Sequence, residues 1–234
     1  LYTGHTYVLA VNDARVAREI SARDLPKFAS RGFQYFGNSN LAKSMFFLPA
    51  QEDWKRIRSI VTPAFTSGKL RDMCQPIETI LDKFIHNLKK EADTDKEFNI
   101  KLYCDSMAMD VIARCGYGID VDSLSDPNHP VVGNARKILG IDASLSVVIC
   151  FIIPRLARLL KLEAFDWRAT QYFDNLTKSI VEKRIETNSV RNSKDLIGLM
   201  LQSSNEDDNK DASKLKNISM TEIQAQSVLF FIAG

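Results

Sequence analysis

A chain of 234 residues is long enough for one large domain or two small ones, and 45% hydrophobic with 26% charged residues allows a sizeable globular core. A net charge of +2 excludes nucleic-acid binding driven by bulk charge, so no nucleic-acid partner is expected. Four cysteines without a CxxC pair or a zinc-spaced histidine exclude a disulfide framework and favour a reducing, cytosol-facing setting.

The run 7–11 (YVLAV) has strand composition, and Asn12-Asp13 offers an N-cap for a helix over 14–20. Residues 22–50 show no clear period and carry many aromatic residues, Phe36 among them, which predicts a long functional loop. Helical periodicity then predicts helices at 51–61, 69–91, 100–117, 131–141, 165–188 and 194–202. The polar stretch 203–216 reads as an exposed linker. No run reaches the roughly 18–20 apolar residues that span a bilayer. No repeat, glycine-rich phosphate loop, HExxH or GxSxG sequence occurs.

The last predicted helix opens on Ser219-Met220-Thr221-Glu222, a capping box. No charged residue follows Glu222, and Ile223, Val228, Leu229, Phe230, Phe231 and Ile232 leave no polar stripe, so the helix is expected to be buried. Nothing follows Gly234 to pack on it, and the chain therefore reads as a piece of a longer protein.

The segment 52–58 (EDWKRIR) carries the best local chemistry. Trp54 and Arg58 are four apart and share a helix face. Both side chains only donate hydrogen bonds, an indole N–H and a planar guanidinium fork, and a carboxylate is the anion that suits the fork. Lys55 and Arg56 are expected to point elsewhere, toward solvent or a partner. The plainer alternative is a core tryptophan beside a surface arginine.

The wider context resembles the cytochrome P450 family, in particular its microsomal, xenobiotic-metabolising, family 3-like branch. The resemblance rests on 54–70 (WKRIRSIVTPAFTSGKL), 107–112 (MAMDVI), 117–124 (YGIDVDSL) and 230–234 (FFIAG), in that order. It implies a mainly α fold: one incomplete P450 domain over 1–234, helices B to the start of I, with a short β-strand region at the N-terminus. It implies haem b, with its iron, in the full-length protein. Trp54 and Arg58 would donate to a haem propionate, and Ala233 and Gly234, opening the oxygen-activation motif AGxxT, would lie over the haem. Phe36, Leu41, Leu229 and Ile232 would line a substrate pocket. Arg31 stands near a second family propionate arginine but reads first as a surface residue.

The family's iron-ligand cysteine, in F-x-x-G-x-x-x-C, is absent: after Phe65 and Gly68 the ligand position is Asp72, and Cys74 falls two residues late on a helix. No catalytic residue and no metal ligand is therefore expected within these residues, and the isolated chain is expected to be inactive. The resemblance further implies a NADPH–cytochrome P450 reductase docking near Lys55, Arg56, Lys69 and Arg71, a lipophilic small-molecule substrate, and an endoplasmic reticulum membrane location facing the cytosol. The apolar run 145–162, broken by Pro154 and followed by Arg155, Arg158 and Lys161, is expected to touch the membrane surface. The competing readings are a non-enzymatic helical interaction module and a lipid-binding helical protein.

Overall fold

The structure is a computed structural model, and it describes residues 2–3, 6–28, 35–48, 52–94, 96–126, 128–140, 145–204 and 218–233. The N-terminal strands are short: β1 (Tyr2–Thr3) pairs antiparallel with β2 (Thr6–Tyr7), Tyr2 opposite Tyr7. The strand expected over 7–11 is thus reduced to its first residue, because residues 8–13 have no second strand to bond. Asp13 caps α1 (Ala14–Arg18) as expected, its Oδ1 accepting from the amides of Arg15 and Val16 at 2.8 and 3.2 Å. The helix continues as a π-helical turn (Glu19–Arg23) and then α2 (Leu25–Phe28), so the region expected to be loop is partly helical. A 3₁₀ turn (Asn40–Lys43) follows. Arg31 and Gly234 lie outside the described residues, as does most of the predicted linker.

The central helices match their periodicity within a few residues. Helix α3 (Glu52–Val61) gives way to a 3₁₀ turn (Thr62–Phe65) where Pro63 has no N–H to continue the ladder. Next come α4 (Ser67–Ala92) and α5 (Ile100–Tyr117), the latter capped by Asn99. Gly118 ends α5 in the left-handed conformation at φ 63°, its amide and that of Ile119 closing on the last turn. A Cβ there would come within 2.8 Å of Asp195 Oδ2, so the position requires glycine on two counts.

Helix α6 (Pro130–Leu139) starts on proline, whose missing N–H costs nothing in the first turn. Pro154 divides the apolar run into α7 (Leu145–Ile152) and α8 (Pro154–Leu159). Asp166 caps α9 (Trp167–Glu186), and a 3₁₀ turn (Val190–Asn192) leads to α10 (Leu196–Ser204). Last comes α11 (Met220–Ala233).

Helix α11 is the axis of the molecule: the 40–43 turn, α9, α5, α6 and α10 all pack against it. Its capping box forms as expected, Ser219 N–H donating to Glu222 Oε2 at 2.8 Å and Glu222 N–H to Ser219 Oγ at 3.3 Å. Phe231 sits between Tyr117 and Phe173, with ring centroids 3.8 and 4.8 Å away, and all three side chains are fully buried. The Tyr117 hydroxyl donates to the Ser227 carbonyl, so the ring buries without stranding its polar tip.

Two polar ties close the core. Asp110, buried on α5, accepts from Ser123 N–H and Oγ–H, both at 2.7 Å, and from Leu124 N–H at 3.2 Å. Arg184 forks onto Asp195 at 2.7 and 2.9 Å and also donates to the Tyr117 carbonyl at 2.5 Å.

Candidate functional site

Helix α3 places Trp54 and Arg58 on one face. The Arg58 guanidinium carbon lies 5.2 Å from the centre of the Trp54 ring, a cation–π distance. Trp54 is half-buried and Arg58 is exposed. Among the described residues no carboxylate pairs with Arg58, although Lys55, one turn earlier, pairs with Glu52 at 3.6 Å. The face therefore presents an exposed guanidinium fork backed by an aromatic ring. A carboxylate carried by a planar ligand suits both parts.

Arg56 behaves differently from the sequence expectation. Its side chain is only 13% exposed and turns inward to Glu222, 20% exposed, on the first turn of α11. One Nη donates to Glu222 Oε1 and the other to Oε2 at 3.4 Å, while Asp53 accepts at 3.1 Å. Two residues along a helix is about 200° of rotation, so Arg56 faces away from Trp54 and Arg58. The Glu222 bond raises the Arg56 pKa further. Burial pushes the Glu222 carboxyl up, but bonds from Arg56 and Ser219 outweigh it and hold the group below its ordinary value.

The expected pocket residues fall in different surroundings. Ile232 lines a half-open, mainly apolar cavity of about 650 Å³ at the end of α11, with Met109, Ile112, Val132, Leu139 and Phe231. Leu229, one turn earlier, is core, and Leu41 is wholly buried in the 40–43 turn against α11. Phe36 joins an aromatic cluster, its ring centre 4.4 Å from Phe47, 5.3 Å from Phe151 and 6.1 Å from Phe165. That cluster ties the 35–48 segment to α7 and to the entry of α9. Ala233 is exposed at the end of α11.

Periodicity missed a polar seam between the 38–45 segment, α9 and α11. Asn40 Nδ2 donates to Asp174 Oδ2 at 3.0 Å and to Gln224 Oε1 at 3.5 Å, and Gln224 Nε2 donates to the Asp174 carbonyl at 3.1 Å. Met45 N–H donates to Gln226 Oε1 at 2.9 Å, although Gln226 is fully buried. Asp174 Oδ1 is buried and accepts no bond among the described residues, and burial raises that carboxyl to about 6 against the pull of Asn40. Gln224 and Gln226 interrupt an otherwise apolar helix, and that interruption was the signal available in the sequence.

Helices α7 and α8 turn an apolar surface outward. Leu145, Phe151, Ile152, Leu159 and Leu160 are exposed, while Val147, Cys150 and Ala157 face inward. Among the described residues no helix is long and apolar enough to cross a membrane, and no group of His, Cys, Asp and Glu side chains is placed to hold a metal ion. Cys74 lies exposed on α4, its Sγ directed at the Leu70 carbonyl at 3.6 Å.

A helical core threaded by α11, with a donor-only Trp–Arg pair on α3, is the arrangement expected of a partial P450 fold. The chain belongs to the cytochrome P450 family, whose profile matches residues 1–234. Its curated relatives include the lithocholate 6-beta-hydroxylase of Mesocricetus auratus, 30% identical over 100% of this chain and 46% of that protein. Cytochrome P450 3A29 of Sus scrofa is 30% identical, and cytochrome P450 3A28 of Bos taurus 31%, each over 100% of this chain and 46% of the relative. The chain thus spans about half the length of the curated relatives it matches.

Proposed function

We propose that this chain is the haem-cradling, pocket-forming part, a single partial domain over 1–234, of a haem-thiolate mono-oxygenase acting on lipophilic small molecules. The observation that carries the reading is the Trp54–Arg58 pair: two donors on one face, with no carboxylate among the described residues to satisfy the guanidinium. A haem propionate is the carboxylate that fits it. When bound, haem iron with its thiolate ligand supplies O2 activation, one oxygen atom entering the substrate and the other leaving as water, on electrons from NADPH. This chain's residues bind, orient and shield. Trp54 and Arg58 hold a propionate by charge-assisted hydrogen bonds. Ala233, with Gly234 next in the sequence, would leave room for oxygen over the haem. Ile232, which lines the cavity at the end of α11, would supply apolar wall to the substrate side and exclude water, while Leu229 and Leu41 are core and Phe36 stays in its aromatic cluster.

The exposed apolar face of α7 and α8, with Arg155 and Lys161 beside it, suits the interface of a membrane, and an endoplasmic reticulum surface facing the cytosol is the location proposed. Lys55 on α3 and Arg71 on α4, both exposed, suit an acidic reductase surface. Arg56 is withdrawn from that role, since Glu222 holds it. The lithocholate 6-beta-hydroxylase among the relatives supports a sterol-sized substrate.

The test is haem retention in the protein expressed from its complete reading frame. Arg58→Ala should speed haem loss by roughly tenfold, the effect of losing one charge-assisted contact. Unchanged haem loading and loss would remove the propionate role. Absence of the thiolate Soret band in the reduced, carbon-monoxide-treated protein would remove the mono-oxygenase reading.

A further inference from the structure

We infer that Arg56 is a positioning residue, whose ion pair with Glu222 sets the roll of α3 and thereby aims the Trp54–Arg58 face. The inference rests on the reading of that face as a propionate site. Three observations carry it.

The first is rotation. Arg56 stands about 200° round the helix from both Trp54 and Arg58, so whatever holds Arg56 points the other two in the opposite direction. A small roll of α3 swings the Arg58 guanidinium, at the end of a long side chain, by several times as much as it moves the helix backbone.

The second is the directness of the tie. Helix α3 buries Ile57, Ile60 and Val61 and packs on α10, which in turn packs on α5 and α11. The Arg56 fork reaches across to α11 itself. It does so where the fork is most specific, on both oxygens of one carboxylate that is already fixed by two bonds from Ser219, at 2.8 and 2.9 Å. Both side chains are largely withdrawn from water, so this is not a screened surface pair of little consequence.

The third is register. Nine residues after Arg56, Phe65 meets Phe230, eight residues after Glu222, at a ring-centre distance of 5.7 Å. The rises of α- and 3₁₀-helix give about 15 Å for the first path and about 12 Å for the second. The segment 56–65 therefore runs alongside 222–230 in the same direction, attached at both ends. Arg56 is the directional attachment, and the ring contact at the other end tolerates rotation. The end of α11 that carries Ala233 and the face that carries Arg58 are thus held in one frame.

The experiment is a pair of mutant cycles on the haem-loaded protein from its complete reading frame, reading haem transfer to an excess of scavenger apoprotein and the haem reduction midpoint. Arg56→Met should speed haem loss roughly three- to tenfold, in the range of couplings between interacting residues. It should lower the midpoint, because a misaimed Arg58 no longer offsets the propionate charge. Both effects should shrink markedly in an Arg58→Ala background, since Arg56 acts through the aim of that residue, with Trp54 carrying what remains. Glu222→Gln keeps the capping box and loses the charge, and it should match Arg56→Met without adding to it. Arg56→Lys keeps the charge without the fork and should be intermediate; it carries the same comparison if Arg56→Met does not load haem. Effects of Arg56→Met that persist undiminished in the Arg58→Ala background overturn the inference, because they mark general loosening. Native haem loss in Arg56→Met, with fast loss in Arg58→Ala, overturns it and leaves the propionate site standing. Native haem loss in Arg58→Ala removes the propionate site and the inference together.

Discussion

Asp174→Asn should stabilise the protein at neutral pH and flatten its pH dependence between about pH 4 and 6. The carboxyl sits in the seam between the 40–43 turn, α9 and α11, where Oδ2 accepts from Asn40 at 3.0 Å and Oδ1 is buried without a partner among the described residues. Burial raises its pKa from 3.8 to about 6. The folded state therefore holds its proton to higher pH than the unfolded state does. Its contribution is most favourable below the unfolded value, and stability falls as pH rises through the window to about 6. Full conversion of that shift gives about 3 kcal/mol. The group is half-exposed, and solvent screening reduces the figure to about 1 kcal/mol.

An asparagine retains an acceptor for Asn40 and carries no charge to desolvate. Urea unfolding followed by far-UV circular dichroism, at about pH 4 and about pH 7, measures the difference. The native protein should lose roughly 1 kcal/mol more than the variant on going from the lower to the higher pH. Equal pH dependence in the two proteins, or a variant less stable near neutrality, would refute burial as the cause of the shift.

Three further outcomes are expected. Tyr117→Phe keeps the stack on Phe231 but leaves the Ser227 carbonyl without the hydroxyl donor; a loss of about 1 kcal/mol is expected in the same unfolding assay, and an unchanged midpoint would mean the bond contributes nothing. Gly118→Ala places a Cβ at a left-handed residue and against Asp195, and should cost about 1–3 kcal/mol; a neutral result would mean that the α5 cap and the Arg184–Asp195 pair shift freely. Leu145→Asp puts a charge on the exposed face of α7 and should weaken sedimentation with anionic phospholipid vesicles several-fold, whereas undiminished binding would exclude that face from the membrane contact.

The helix limits and caps were legible because they follow from residues within one turn of each other. Asp13 and the Ser219–Glu222 pair act on amides two or three residues away, and local chemistry is enough to read them. The Trp54–Arg58 face was legible for the same reason, being four residues on one helix. The region 22–50 was read as loop because its helical pieces, α2 and the 40–43 turn, are too short to show a period.

The sequence by itself determined a mainly helical chain, a buried last helix with its cap, and a tryptophan and an arginine on one face of α3. The tertiary structure alone decided that Arg56 faces Glu222, 166 residues away, and that Asp174 meets Asn40 across 134 residues. It also decided that Gln226, buried in the mainly apolar α11, meets the Met45 amide across 181 residues. A side chain's charge and reach are written at its own position. Which group it meets is fixed by how helices stack, and stacking brings together positions that no local pattern links.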